Sequence, residues 1–389
     1  MNVIPYGRQD ISQDDIDSVV SVLRADYLTQ GPAVPAFEKV VKDYCGAQYA
    51  VAVNSATSAL HIACLALGVG REDIVWTSPN TFVASANCAI YCDAKIDFVD
   101  IDPVSYNLSI EKLTVKLVEA KKAGKLPKVV IPVHFSGQSC DMRALNALGV
   151  KYGFKIIEDA SHAIGGKYQG LPIGDCRFSD ITVFSFHPVK IITTGEGGMA
   201  LTNDELLAKK MCNLRSHGVT NLASDMHPRP PGEIWNYQQV ELGFNYRMTD
   251  IQAALGISQM QRLDQFVAKR QNLAARYNQL LTGLPLITPE QNPEAYSSYH
   301  LYVIRLKLKE INSSQVEVYR NLHANGILVN LHYIPVYLHP FYEEQGFSRG
   351  YCPEAERYYS ESISIPLYSE LTEKQQDYVV EMLKNMVCK

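Results

Sequence analysis

The chain has 389 residues, 47% of them hydrophobic, enough for a sizeable core and two lobes. A formal charge of -5 and a pI near 6.1 leave no basic footprint for nucleic acid, and no run of like charges marks a basic arm or acidic tail. No apolar run reaches the length needed to cross a membrane. The first residues, "MNVIPYGRQDISQDDIDSVV", lack a charged start followed by an apolar stretch, so no signal peptide is expected. The nine cysteines are scattered, without a CxxC pair or a His/Cys cluster. Reduced thiols, a cytoplasmic location and no metal site are the expectation. Cys88 and Cys92 could share a helix face, with core filling as the simpler reading.

From about residue 50 to 205, short β-branched runs alternate with helical stretches. Seven strands are predicted: "YAVAVN" (49–54), "DIVWTS" (73–78), "KIDFVDID" (95–102), "KVVIPVHF" (128–135), "FKIIEDA" (154–160), "DITVFSF" (180–186) and "GGMALTN" (197–203). Apolar strands between helices such as "TSALHIACLALGVG" imply an α/β fold with a mostly parallel sheet covered on both faces. Next comes "MTDIQAALGISQMQRLDQFVAKRQNLAARYNQLLTGL", which reads as one long connecting helix opened by Thr249 and Asp250 and closed near Gly283. The expected division is a large domain over 1–250, and the connecting helix with a smaller α+β domain over 251–389. The proline-rich stretch 224–239 reads as a surface loop.

In such sheets ligands bind beyond the carboxyl ends of the strands, and three polar groupings fall there. After the first strand, Ser55, Ala56, Thr57 and Ser58 lead into a helix whose free N–H groups suit a phosphate, although the same residues also serve as ordinary caps. Asp159 ends "IIED" and should point into the cleft, with His162 three residues on; a helix-capping carboxylate is the other reading. In "FSFHPVKIITTGEGG", Ser185 ends its strand and Lys190 follows before a glycine-rich loop. A lysine held at the mouth of an apolar cleft loses solvation, its pKa falls, and its amine can form a Schiff base. A phosphate cradle, a buried aspartate and a desolvated lysine on one edge match the needs of pyridoxal 5'-phosphate.

These stretches, with "DYLTQGPAVPAFEKVVKDYCGAQYAVAVNSA" and "LGFNYRMTDIQAALGISQMQRL", resemble the sugar-nucleotide aminotransferases over essentially the whole chain. The resemblance implies the aspartate-aminotransferase fold (fold type I). It also implies Lys190 as the Schiff-base lysine and Asp159 as partner of the pyridine nitrogen. His162 falls near the ring hydroxyl, Ala56, Thr57 and Ser185 at the phosphate, and Phe82 on the ring face, where core packing is the alternative. Asn245, in "GFNYR", matches an asparagine supplied by a second protomer, which implies a homodimer with shared sites. Tyr6, Leu28, Thr29, Gln30 and Gly31 match sugar-nucleotide contacts, as do Ala56, Ser185, Asn330, Leu331, His332 and Tyr333; for His332 a structural hydrogen bond is the alternative. The loop 224–239 has no firm counterpart in that family and its role is open; one reading is that Trp235 or Arg229 covers the nucleotide.

Within the family, "IPYGRQDIS", "SFHPVKIITTGEGG" and "VHFSGQSCDM" are similar to the 4-aminotransferases of pseudaminic acid biosynthesis. The implied substrates are L-glutamate, released as 2-oxoglutarate, and a UDP-linked 4-keto-6-deoxy-N-acetylhexosamine. The D-xylo 4-keto sugar of bacillosamine-type routes and dTDP- or GDP-linked analogues are the alternatives. Keto-sugar 3-dehydratases of this fold carry histidine at the lysine position, so Lys190 argues against that chemistry. A non-catalytic binding regulator is the remote reading, because every catalytic position is filled.

Overall fold

A computed structural model describes residues 3–228 and 232–388. Seven strands form the central sheet: β1 (Tyr49–Val53), β2 (Ile74–Thr77), β3 (Lys95–Phe98), β4 (Val129–Ile131), β5 (Lys155–Asp159), β6 (Ile181–Ser185) and β7 (Gly198–Thr202). Their spatial order is β1-β7-β6-β5-β4-β2-β3, with β7 antiparallel to both neighbours and every other pair parallel. Each predicted strand is present, shortened by one to five residues in all. The two-residue period sorts side chains between two buried faces. Val51, Val53, Ile157, Ile181 and Val183 join one core, whereas Ala52, Phe184, Met199 and Leu201 join a second and Trp76, Val130 and Ile156 a third.

Helices cover both faces. Among those that matter below, α1 is Gln13–Leu23, α2 Ala33–Cys45, α3 Ala56–Ala66 and α4 Ala84–Ile90. Helix α3 is apolar on every side, with Ala59, Leu60, Ile62, Ala63 and Cys64 buried, as expected for a helix packed between the sheet and other helices.

The long helix read over the connecting stretch is in fact two, α5 (Asp250–Met260) and α6 (Leu263–Leu280). Thr249 caps α5 in a capping box with Gln252. The break at Gln261–Arg262 has a tertiary cause. The Arg262 guanidinium donates to the Asp10 carboxylate at 2.9 Å and to Asp15 at 2.5 Å, which pulls it toward the N-terminal segment. Ala253, Met260, Leu263, Phe266 and Val267 pack into the core of α2 and β7.

A second sheet of three antiparallel strands, β8 (Leu286–Ile287), β9 (Tyr302–Leu306) and β10 (Ser362–Ile365), has its own core around Tyr277, Tyr302, Leu322 and Val379. Ile4 belongs to that core, because Ile4–Pro5 pairs in parallel with Ile327–Leu328. No described helix is long and apolar enough to cross a membrane.

Candidate active site

Asp159 is the last residue of β5 and sits on the α3 and α4 side of the sheet, 5% exposed. Its Oδ2 accepts from Ser85 Oγ at 2.5 Å and its Oδ1 from the Ser161 N–H at 3.1 Å. No cation pairs with it among the described residues. Lys190 follows β6 on the next strand, and among the described residues nothing takes a hydrogen bond from its Nζ. Burial brings its ammonium down to a pKa of about 8, with the Asp159 charge pulling the other way. At neutral pH a fraction of this amine is free, as a nucleophilic lysine requires.

Beside them lie three histidines and two tyrosines. His162 Nδ1 accepts from the Ser136 N–H at 3.3 Å, which places the proton of a neutral ring on Nε2 and makes it a donor to Tyr333 Oη at 3.1 Å. Burial, then the charges of Lys190 and His332, hold His162 well below the usual imidazole pKa. His332 is held neutral in the same way, at about 3, by burial and then Lys190. Its Nδ1 faces Ser364 Oγ at 2.8 Å and its Nε2 faces the Asn330 amide at 3.4 Å, so His332 does make the structural hydrogen bond left open above. Burial raises the Tyr333 hydroxyl far above its ordinary value, and Tyr6 packs on His332 with ring centroids 5.3 Å apart. Leu331 donates its N–H to Asn330 Oδ1 at 2.8 Å, which tightens the turn carrying this group.

The strand register assembles a third element. Ser185 pairs with Gly198, and Gly198 pairs with Val53. A Cβ on Gly198 would stand 2.5 Å from the Ala56 nitrogen, so only glycine lets β7 come this close to the start of α3. Ser55 caps the Ser58 N–H at 3.1 Å, leaving the Ala56 and Thr57 N–H groups at the free end of the helix, against the Gly198 that pairs with Ser185. Phe82 is 60% exposed, so it is no core residue; it lies at the head of α4, three residues before Ser85. An anion cradle, the buried Asp159 carboxyl group and a depressed-pKa amine on one sheet edge fit the phosphate, ring nitrogen and aldehyde of pyridoxal phosphate.

Other predicted contacts lie elsewhere in the same chain. Thr29 bridges Thr249, and the Asp250 carboxylate accepts from the Gly31 and Ala33 N–H groups at 3.0 and 2.9 Å. Gln30 and Gly31 line an open cavity of about 210 Å³ with Arg215, Ser216, Arg247 and Met248. Leu28 is exposed, and so is Asn245, which bridges Ser216. Among the described residues no hydrogen bond or ion pair joins this group to Lys190 or Asp159. Trp235 is 74% exposed, and Arg229 lies outside the described residues.

Two residues of the cleft escaped the sequence reading. Ser85 is one, and its only signal was its place on the helix that follows Phe82. The other is His300, 4% exposed, whose ring packs on His162 with centroids 4.3 Å apart. A histidine in the otherwise apolar run "HLYVI" was the available cue.

A model of the DegT/DnrJ/EryC1/StrS aminotransferase family matches residues 9–384. The chain belongs to this family. It is a pyridoxal-phosphate-dependent sugar aminotransferase. The chain is 37% identical over 383 residues to the UDP-4-amino-4,6-dideoxy-N-acetyl-beta-L-altrosamine transaminase of Campylobacter jejuni subsp. jejuni serotype O:2, covering 98% of this chain and 96% of that one. Its structure is similar to Helicobacter pylori PseC, described as an aminotransferase involved in the biosynthesis of pseudoaminic acid, with a TM-score of 0.89, 28% identity and 99% of each chain covered. The PLP-form of the putative sugar aminotransferase Spr1654 from Streptococcus pneumoniae superposes with a TM-score of 0.87 at 28% identity over 98% of each chain.

Proposed function

We propose that this aminotransferase moves the amino group of L-glutamate to C4 of a UDP-linked 4-keto-6-deoxy-N-acetylhexosamine, giving UDP-4-amino-4,6-dideoxy-N-acetyl-β-L-altrosamine. One observation carries the reading: the Lys190 amine, lowered to a pKa of about 8, stands beside Asp159 in a chain that aligns end to end with a transaminase of that product. When bound, pyridoxal phosphate supplies an aldehyde that takes up amines and a ring that withdraws electrons.

The protein's side chains do the rest. Lys190 would hold the aldehyde and, as the free amine of the site, take the proton from the donor's α-carbon and later deliver one to C4 of the sugar, setting the stereochemistry there. Asp159 would keep the ring nitrogen protonated. His162 would lie near the ring hydroxyl, Phe82 would cover the ring, and Ser185 with the Ala56 and Thr57 N–H groups would bind phosphate. Tyr6 and Asn330 to Tyr333 meet the sugar nucleotide. Leu28 to Gly31 and Asn245 sit apart from Lys190 within one chain, which supports a homodimer in which they complete the cleft of the other protomer.

The test uses purified holoenzyme with L-glutamate and each 4-keto UDP-sugar, L-arabino and D-xylo, assayed side by side for 2-oxoglutarate release. Faster turnover of the L-arabino substrate is expected. Preference for the D-xylo sugar would move the assignment to the alternative product, and no 2-oxoglutarate with either would remove it.

A further inference from the structure

The β4 and β5 ladder is interrupted just before Asp159. β4 ends at Ile131, and the pairing resumes as the Val133–Asp159 bridge, with Asp159 N–H to the Pro132 carbonyl at 2.9 Å and His134 N–H to the Asp159 carbonyl at 3.0 Å, while β6 pairs Val183 with Asp159 on the other side. Side chains take over on the opposite face of β5. There Glu158 is 5% exposed and His134 fully buried, with His134 Nε2 2.7 Å from Glu158 Oε2. His134 Nδ1 accepts from the Cys140 N–H at 3.2 Å, so the ring proton sits on Nε2 and is donated to the carboxylate. Glu158 Oε1 accepts from the Thr182 hydroxyl on β6 at 3.1 Å and from Ser179 just before that strand. The cation lining the same small cavity, Arg177, is engaged by Asp175 at 3.3 Å and by the Tyr168 carbonyl.

Burying a histidine–carboxylate pair costs free energy, and packing alone does not require it, since apolar side chains of similar volume fill such sites as well or better. What apolar packing lacks is direction. Three hydrogen bonds converging on Glu158 fix the ends of β4, β5 and β6 relative to one another one residue before Asp159. We propose that His134 and Glu158 are positioning residues for Asp159, holding its carboxylate in place for the cofactor's ring nitrogen. This rests on the role given to Asp159 above.

The experiment compares His134→Leu, His134→Gln, the double variant His134→Leu/Glu158→Leu and, in parallel, Asp159→Ala. Each is measured for thermal unfolding without cofactor, for pyridoxal phosphate affinity by absorbance titration, and for kcat and KM. The double Leu variant is expected to fold, because the buried pair is replaced as a unit. It should nevertheless bind cofactor on the order of tenfold more weakly, with kcat lowered and the sugar-nucleotide KM little changed. His134→Gln should recover most of the affinity lost in His134→Leu, since its amide can both donate to Glu158 and accept from Cys140. A double Leu variant with wild-type affinity and kcat, while Asp159→Ala loses binding, overturns the positioning role alone. Unchanged affinity in Asp159→Ala overturns the role of Asp159 and this proposal with it.

Discussion

Ser85 Oγ donates to Asp159 Oδ2 at 2.5 Å across 74 residues of sequence, and both groups are buried. The bond ties α4 to the end of β5, so the helix that follows Phe82 and the strand that presents the carboxylate hold each other in place. Ser85→Ala removes one of the two donors to Asp159. A hydrogen bond to a charged group contributes about 1.5–3 kcal/mol, so cofactor affinity should fall by roughly tenfold or more while the fold persists. Absorbance titration beside thermal unfolding reads both effects.

Lys190 sets the pH dependence of cofactor capture. Its folded-state pKa of about 8 lies below that of an ordinary lysine, so the free amine becomes the major form as pH rises through about 8. Covalent capture of pyridoxal phosphate by cofactor-free protein should therefore speed up through that range and level off above it. Stopped-flow absorbance across pH 6–10 checks this, and a midpoint near ~10.4 would show an ordinary solvated lysine. The linkage has the matching sign: between pH about 8 and ~10.4 the unfolded chain binds the additional proton, so this group makes stability rise with pH there. Lys190→Ala should lose the acid–base contribution, about 10²–10⁴-fold in rate, and all borohydride-trapped label.

Gly198 is the close approach on which the proposed phosphate cradle depends. In Gly198→Ala the new methyl would meet the backbone of Ser55 and Ala56 at 2.5 Å, and neither can swing away. The expected result is a loss of about 1–3 kcal/mol in stability and a larger proportional loss of cofactor affinity. Urea unfolding and cofactor titration would measure the two separately.

Arg270 supports the floor of the cleft. It is buried, and its Nη1 donates to the carbonyls of Tyr299, His300 and Leu367 at 3.2, 3.2 and 2.9 Å. Arg270→Leu leaves those carbonyls without a donor and should cost about 3 kcal/mol or more. His300 would loosen as well, and with it the ring that His162 rests on.

A mixing experiment tests the shared cleft. The Lys190→Ala and Asn245→Ala proteins should each be impaired. If Asn245 acts across the interface, a mixed dimer contains one site with both residues intact, so unfolding and refolding the two together restores activity. Failure to restore it would place Asn245 in its own chain's site.

The sheet and the strand-end chemistry were legible because both are written locally. Runs such as "ITVFS" allow little besides a buried strand, and the residue after such a strand falls on the ligand-binding edge. What could not be read depends on partners far away in sequence. Gln261 and Arg262 are good helix formers, and only the carboxylates of Asp10 and Asp15 explain why the helix breaks there. Ser85 looks like any small residue on a buried helix until β5 brings Asp159 to it. His300 likewise acquires meaning only from the ring of His162, supplied by the other sheet.

The short pairing of Ile4–Pro5 with Ile327–Leu328 bears on how the molecule is made. A nascent chain emerging from the ribosome offers its first residues no partner until more than four-fifths of the polypeptide has been synthesised. Tyr6, one residue beyond that pairing, therefore reaches its place against His332 among the last events of maturation, and changes to the segment before it should disturb the packing of Tyr6 on His332 before they disturb the central sheet.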